Sequence, residues 1–231
     1  ALNVSDSITE FTDLMNEKAE KLGMENTHFS NAHGLWAQQN YSSCKDMATL
    51  CEYAISKYQV FRDIVCLPSY HMASTSYHSD GTDIYNTNLM LDSMTDYYYS
   101  YAKGIKTGTL DSAGRCLASY AEYEGTTYLI VTMGAPMDKL EEDVKKGEED
   151  PDSIYGGDNV YYNLLDHISL YKWAFSSLVA TDFVDKNSEV RDVKVSYGDG
   201  IDYANLKPAN GFTRLWPVDI LSLIHISEPT R

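Results

Sequence analysis

Between Tyr97 and Met133 the chain reads as strands joined by tight turns, and no other stretch of its 231 residues narrows the fold as much. Tyr97 to Ile105 is a predicted strand that runs into Lys106-Thr107-Gly108. Cys116 to Tyr123 and Thr126 to Met133 are β-rich and are joined by Glu124-Gly125, a hairpin signal. Strands connected this closely must pair antiparallel, because a parallel pair needs a crossover of a dozen residues or more. A sheet of this kind buries an apolar face only if other elements cover it.

Helices flank it on both sides in the sequence. Ser7 and Glu10 have capping-box spacing, and Phe11, Leu14, Met15, Ala19 and Leu22 follow at helical period, with Gly23 placed to end the helix. This predicts a helix over 8–22. Asn, Ser, Gly and His dominate from Glu25 to Asn40, which reads as an ordered loop. Ser43 with Asp46 starts a second helix whose apolar stripe runs Met47, Leu50, Cys51, Ala54, Ile55 and Tyr58. A short apolar stretch from Val60 to Leu67 stops at Pro68, and Ser69 to Asn88 is strand-like around a Ser79-Asp80-Gly81 turn. Past the hairpin, Tyr161 to Leu178 is helical, and the chain then changes to short Val- and Tyr-bearing strands broken by Gly198, Gly200, Pro208 and Gly211. The expected fold class is α+β, an antiparallel sheet covered by helices. The expected division is a main domain over 1–178 and the start of a small β domain over 179–220.

Charge and cysteines exclude several function classes. There are 34 acidic against 18 basic residues, a formal charge of −16, so phosphate backbones are repelled and nucleic acid is not an expected partner. Eleven of the sixteen residues from Asp138 to Ser153 are charged, which reads as a solvated loop or frayed helix. Cys44, Cys51, Cys66 and Cys116 form no C-x-x-C pair and have no His at ligand spacing, so no metal site is expected. Cys44 and Cys51 lie about 10 Å apart along one predicted helix, too far for a disulfide, and small buried thiols are the expectation for all four. No apolar run approaches the roughly 18 residues of a bilayer helix. Leu221 to Arg231, LSLIHISEPTR, resembles the translation of a transposase adaptor used in preparing sequencing libraries, and it is set apart from the fold.

Lys-Thr-Gly alone says little, since such a triplet arises by chance in about one chain in twenty of this length. Its setting says more. The stretches Phe11 to Leu35 (FTDLMNEKAEKLGMENTHFSNAHGL), Tyr41 to Leu50 (YSSCKDMATL), Asn86 to Leu91 (NTNLML), Gly104 to Ala121 (GIKTGTLDSAGRCLASYA) and Leu170 to Leu178 (LYKWAFSSL) resemble, in order and type, the D-alanyl-D-alanine carboxypeptidases, low-molecular-mass penicillin-binding proteins. The resemblance implies a β-lactamase/transpeptidase-like domain, truncated at its N-terminus and followed by the opening of a small β domain.

The resemblance also implies a chemistry: an activated serine attacks the peptide carbonyl between two D-alanines, and water hydrolyses the acyl-enzyme. It assigns Lys106, Thr107 and Gly108 to the strand side of the active site. Lys106 would set a positive charge near the substrate carboxylate and the nucleophile, and the Thr107 hydroxyl would bond that carboxylate. Gly108 would let the substrate lie along the strand. The Thr109 N–H would lend an oxyanion-hole donor, and His33 would border the site, with Ala32 where the usual pattern has Pro. The nucleophile motif, S-x-x-K, and a second motif, S-x-N, are expected ahead of Phe11. The S-x-x-K at a predicted helix start, Ser42 to Lys45, falls after the His-Gly-Leu loop and reads as a capping coincidence, and no S-x-N occurs. The chain as given is therefore expected to form no acyl-enzyme. Ala135-Pro136-Met137 follows the hairpin where relatives often carry a basic residue.

The implied partner is a peptidoglycan stem peptide ending in D-Ala-D-Ala, with β-lactam antibiotics as inhibitors of the parent protein. No cofactor is implied, and the parent is expected on the outer face of the cytoplasmic membrane. A serine β-lactamase is the alternative within the fold, disfavoured by the His-Gly-Leu loop and the trailing β segment. A non-catalytic relative that binds wall peptides is the alternative of another class.

Overall fold

The computed structural model of the chain describes residues 1–157, 159–186, 188–189, 191–194 and 203–218. The adaptor-like segment 221–231 lies outside them, as do Gly198 and Gly200. Two compact units divide after Tyr171.

The first unit is built on a three-stranded antiparallel sheet, β3 (Ala102–Leu110), β4 (Gly114–Tyr123) and β5 (Thr126–Ala135), in the order β3-β4-β5. Two turns set its register. Glu124 and Gly125 both take positive φ, 48° and 79°, the backbone of a two-residue hairpin turn that matches strand twist. At the other end Gly114 has φ +63°, and a Cβ there would stand 2.7 Å from the Ala135 carbonyl oxygen. That position admits only glycine without a shift of backbone.

Helices cover the sheet as the apolar spacing requires. α1 (Ile8–Lys21) is capped by the Ser7 hydroxyl, which accepts from Glu10 N at 3.0 Å. The reciprocal arm of the expected box goes elsewhere, since the Glu10 carboxylate accepts from Asp6 N. α2 (Cys44–Lys57) is capped by Ser43, α3 (Gln59–Val65) follows, and α5 (Tyr162–Ser177) comes after the sheet. Cys51 of α2, Ile105 of β3 and Tyr120 of β4 share one buried cluster, packed by Ile55, Phe61, Val65, Ala118 and Leu129. A small hairpin, β1 (Ser69–Met72) with β2 (Thr82–Tyr85), precedes the sheet. The fold is α+β, as the order of elements implied.

Two readings change, and a third narrows to one of its alternatives. Tyr97 to Tyr101 is not strand. It is a turn that buries Tyr97 and Tyr99, and β3 begins only at Ala102. Of the four cysteines only Cys51 is buried, and Cys44 is exposed at the head of α2. The acidic segment contains a helix, α4 (Glu141–Glu149), anchored at buried Asp143, which accepts from Lys146 Nζ at 2.6 Å and the Tyr162 hydroxyl at 2.8 Å.

The second unit holds two antiparallel pairs, β6 (Leu178–Val184) with β9 (Phe212–Pro217) and β7 (Arg191–Lys194) with β8 (Tyr203–Leu206).

Candidate active site

Lys106, Thr107, Gly108 and Thr109 sit in the second half of β3, one of the two edge strands of the sheet. Alternation puts Lys106 and Gly108 on one face and Thr107 and Thr109 on the other. Lys106 is exposed and donates from Nζ to the carbonyl of Thr107 at 2.6 Å. Among the described residues no carboxylate pairs with it, so its charge stays available to a ligand. Thr107 shares a short hydroxyl–hydroxyl bond with Thr87. Gly108 is the informative member. Its φ is not positive, and a Cβ there would meet nothing nearer than Cys116 Cβ at 3.8 Å. The fold itself does not require glycine at this point, although glycine inside a strand costs about 0.5–1 kcal/mol relative to alanine. A ligand lying against the strand supplies a reason that internal packing does not.

The His33 loop is held in place from three directions. Asn16 of α1 clamps Phe29, donating to its carbonyl and accepting from its N–H, both at 2.8 Å. A two-bond bridge joins His28 to Tyr41, closing the loop at its base. Asn31 Oδ1 accepts from Gly34 N at 2.8 Å, and Asn31 Nδ2 donates to the Leu35 carbonyl at 3.0 Å. His33 Nδ1 accepts from Leu35 N at 3.1 Å, so the neutral ring carries its proton on Nε2. His33 is exposed and, with Asn31, Tyr41, Ser42 and Cys116, lines a cavity of about 480 Å³. Cys116 is the β4 partner of Gly108, so loop and triplet border the same face of the sheet. Among the described residues no hydrogen bond joins His33 to the triplet.

Ser42 to Lys45 is a helix cap. Ser43 Oγ accepts from Asp46 N at 3.1 Å, and Ser42 Oγ lies 2.8 Å from Thr27 Oγ1, which in turn donates to Asp46 Oδ2. Burial alone would raise the Asp46 pKa, but the bonds from Thr27, Asn26 N and Ser43 outweigh it and hold the carboxyl below its ordinary value.

Two features escaped the sequence reading. A chain of bonds runs from half-buried Thr132 Oγ1 to His167 Nε2 at 3.0 Å, then wholly buried from His167 Nδ1 to Ser119 Oγ at 2.7 Å and on to the Tyr171 hydroxyl at 2.7 Å. The signal available was His167 within the apolar set of its helix, between Leu164 and Tyr171. The second is Arg115 on β4, 6% exposed, in inward register with Leu117 and Ser119. No group of His, Cys, Asp and Glu able to hold a metal ion occurs among the described residues.

A family model described as D-alanyl-D-alanine carboxypeptidase matches residues 1–137, more than half of the chain. The D-alanyl-D-alanine carboxypeptidase DacF of Bacillus subtilis is 31% identical over 140 residues, covering 59% of this chain and 33% of that protein. DacA of Haemophilus influenzae is 26% identical over 203 residues, covering 86% and 42%. The solved structure of penicillin binding protein 5 from Haemophilus influenzae matches with a TM-score of 0.63 at 22% identity, covering 95% of this chain and 54% of that one, which is a likeness of fold. The chain thus spans less than half the length of either curated relative.

Proposed function

The chain belongs to the D-alanyl-D-alanine carboxypeptidase family, and from that membership we propose that it is the strand-side part of a serine-type carboxypeptidase. The whole enzyme removes the terminal D-alanine from peptidoglycan stem peptides through an acyl-enzyme. It is blocked by β-lactams, and it works outside the cytoplasmic membrane. The nucleophile comes from residues other than these 231. The observation that carries the reading is Gly108, an extended glycine on an edge strand where a Cβ would meet only Cys116 Cβ, at 3.8 Å, so that the fold itself leaves room for a side chain. A peptide adds there as a further strand, with main-chain bonds for affinity. Lys106 supplies a fixed charge beside it, and Thr107 a hydroxyl.

The protein expressed from the complete gene is the one to assay. It is expected to release D-alanine from a pentapeptide ending in D-Ala-D-Ala, and Lys106→Ala to lower kcat/KM by about 100-fold, the scale of a lost electrostatic contact to the transition state. No release, with the peptide still bound, would leave a non-catalytic wall-binding relative. The 231-residue chain itself is expected to take no covalent label from a fluorescent penicillin. Labelling abolished by Ser42→Ala would overturn the reading of Ser42 as a cap.

A further inference from the structure

We infer that a cavity between α2, α3 and the turn end of the β4–β5 hairpin is a second binding site, separate from the triplet, for a small zwitterionic amino acid. Nothing in it depends on the carboxypeptidase reading.

The cavity measures about 280 Å³ and is lined by Glu52, Ile55, Arg62, Tyr120, Glu122 and Thr127, among others. That lies just below the range of pockets for drug-sized ligands and suits a molecule of a few heavy atoms. Sheet alternation sets its place. Tyr120 and Glu122 fall on the face of β4 that carries Cys116 and Ala118. α2 runs along that face, with Met47 near Cys116 at one end and Glu52 and Ile55 near Tyr120 at the other. Thr127 is the β5 partner of Glu122. α3 closes the remaining side, because Arg62 is tied back to the Ile55 carbonyl and to Gln59 Oε1.

The floor is the informative part. Tyr120 is 3% exposed, yet among the described residues its hydroxyl has no hydrogen-bond partner. Buried polar groups are ordinarily bonded. The unbonded side-chain atoms that are wholly sealed lie elsewhere, on Asn88, Asn163 and Trp216, so the Tyr120 hydroxyl keeps an opening, and the cavity supplies it. Burial, with the Glu122 carboxylate next in effect, pushes this phenol up to about 12, so it stays a donor.

The rim holds charge of both signs. Glu52 and Glu122 are exposed, Arg62 is half-buried, and among the described residues neither carboxylate pairs with Arg62 or with another cation. Arg62 spends two of its five N–H donors on Ile55 and Gln59. Opposite charges that border one cavity without meeting suit a ligand that carries both signs and bridges them. An α-amino acid does so, with its carboxylate on the Arg62 fork and the Tyr120 hydroxyl and its ammonium between the two glutamates. A dianion would meet Glu52 and Glu122, and a bare cation would meet Arg62, so the lining selects against ligands of one sign. The D-alanine released in the proposed reaction has the favoured chemistry.

The test is an NMR titration of the chain with D-alanine, L-alanine, propionate and ethylamine, following the Glu122 and Thr127 backbone amides. Alanine is expected to saturate with a Kd of about 1 mM, within reach of its few heavy atoms. Propionate and ethylamine, with one charge each, should bind about tenfold or more weakly. Tyr120→Phe is the sharpest variant. Its lost hydroxyl has no internal partner, so the urea midpoint should not fall, while alanine should weaken about three- to tenfold. Glu122→Gln, on the exposed rim, should weaken alanine and ethylamine and leave propionate no weaker. Arg62→Gln should weaken alanine and propionate; should it fail to fold, the other two variants decide. A preference for D- over L-alanine would make the reaction product the occupant, and equal binding a general amino-acid site; both uphold the cavity. No saturable shift by ~50 mM alanine, ethylamine bound as tightly as alanine, or unaltered affinity in Tyr120→Phe overturns the proposal.

Discussion

Lys106, Thr107 and Thr109 on β3 and the chain Thr132–His167–Ser119–Tyr171 behind β4 draw on similar chemistry, a base with hydroxyls on the same sheet, in opposite surroundings. Ser119 and His167 stand 2.7 Å apart, the spacing of an activated nucleophile and its base. Both are 0% exposed, as is Tyr171. Each hydroxyl and both imidazole nitrogens already have partners within the network, and the burial of Ser119 keeps any substrate from it. Lys106 lies in the open and, among the described residues, bonds only to its neighbour's carbonyl. Nucleophile and base geometry therefore does not mark the site in this molecule. Unspent hydrogen-bonding capacity at an accessible strand does. The buried set contributes stability, and the exposed set is free for a ligand.

The contrast breaks most visibly at Tyr171. Its ring stacks on Tyr99 with centroids 5.8 Å apart, and its hydroxyl closes the network. Tyr171→Ala removes a wholly buried aromatic and should cost about 3–5 kcal/mol, read from the urea midpoint. Lys106→Ala should stay within about 0.5 kcal/mol of wild type. Comparable losses from the two would end the distinction.

A second effect, smaller and tunable, comes from His167. Burial pushes its pKa down to about 4 from an ordinary 6.5. The native state therefore binds fewer protons than the unfolded state between those values. Stability contributed by the neutral ring is complete above pH 6.5, falls as pH drops through the window, and declines no further below about 4. The loss should approach about 3 kcal/mol. Urea melts of wild type and His167→Phe from pH 7 to 4 isolate it, since other carboxyls titrate alike in both. A difference between the two proteins that does not change with pH would mean the ring binds protons alike in the folded and unfolded states, and so is not desolvated as its burial implies.

Local signals were legible, and long-range ones were not. Ser7 and Ser43 cap helices because a hydroxyl ahead of an apolar stripe has that use whatever the tertiary fold, and Glu124-Gly125 turns because its backbone demands it. Tyr97 to Tyr101 misled because two aromatics buried two residues apart imitate strand period. Tyr97 instead accepts from Tyr161 N and Tyr99 N bonds the Met90 carbonyl, partners no periodicity reveals. At the site, Lys106 to Gly108 were readable as a motif. Ser119 and His167 are 48 residues apart, and Arg115 meets Asn159 and Val160 from 44 and 45 residues away. Only the hint of a polar residue in an inward register pointed to them.

The finest test of the contrast sets two glycines of one hairpin against each other. Gly114→Ala forces a side chain onto φ +63° and within 2.7 Å of the Ala135 carbonyl oxygen, so it should cost about 1–3 kcal/mol. Gly108→Ala meets only Cys116 Cβ at van der Waals distance and gives up glycine's excess flexibility in the unfolded chain. It should leave stability unchanged or raise it by up to about 1 kcal/mol. If Gly108 is there for the ligand, that same neutral substitution should weaken N-acetyl-D-alanyl-D-alanine while Gly114→Ala, where still folded, does not. A Gly108→Ala protein that is destabilised yet binds normally would return Gly108 to the fold and leave the strand without its strongest mark of a site.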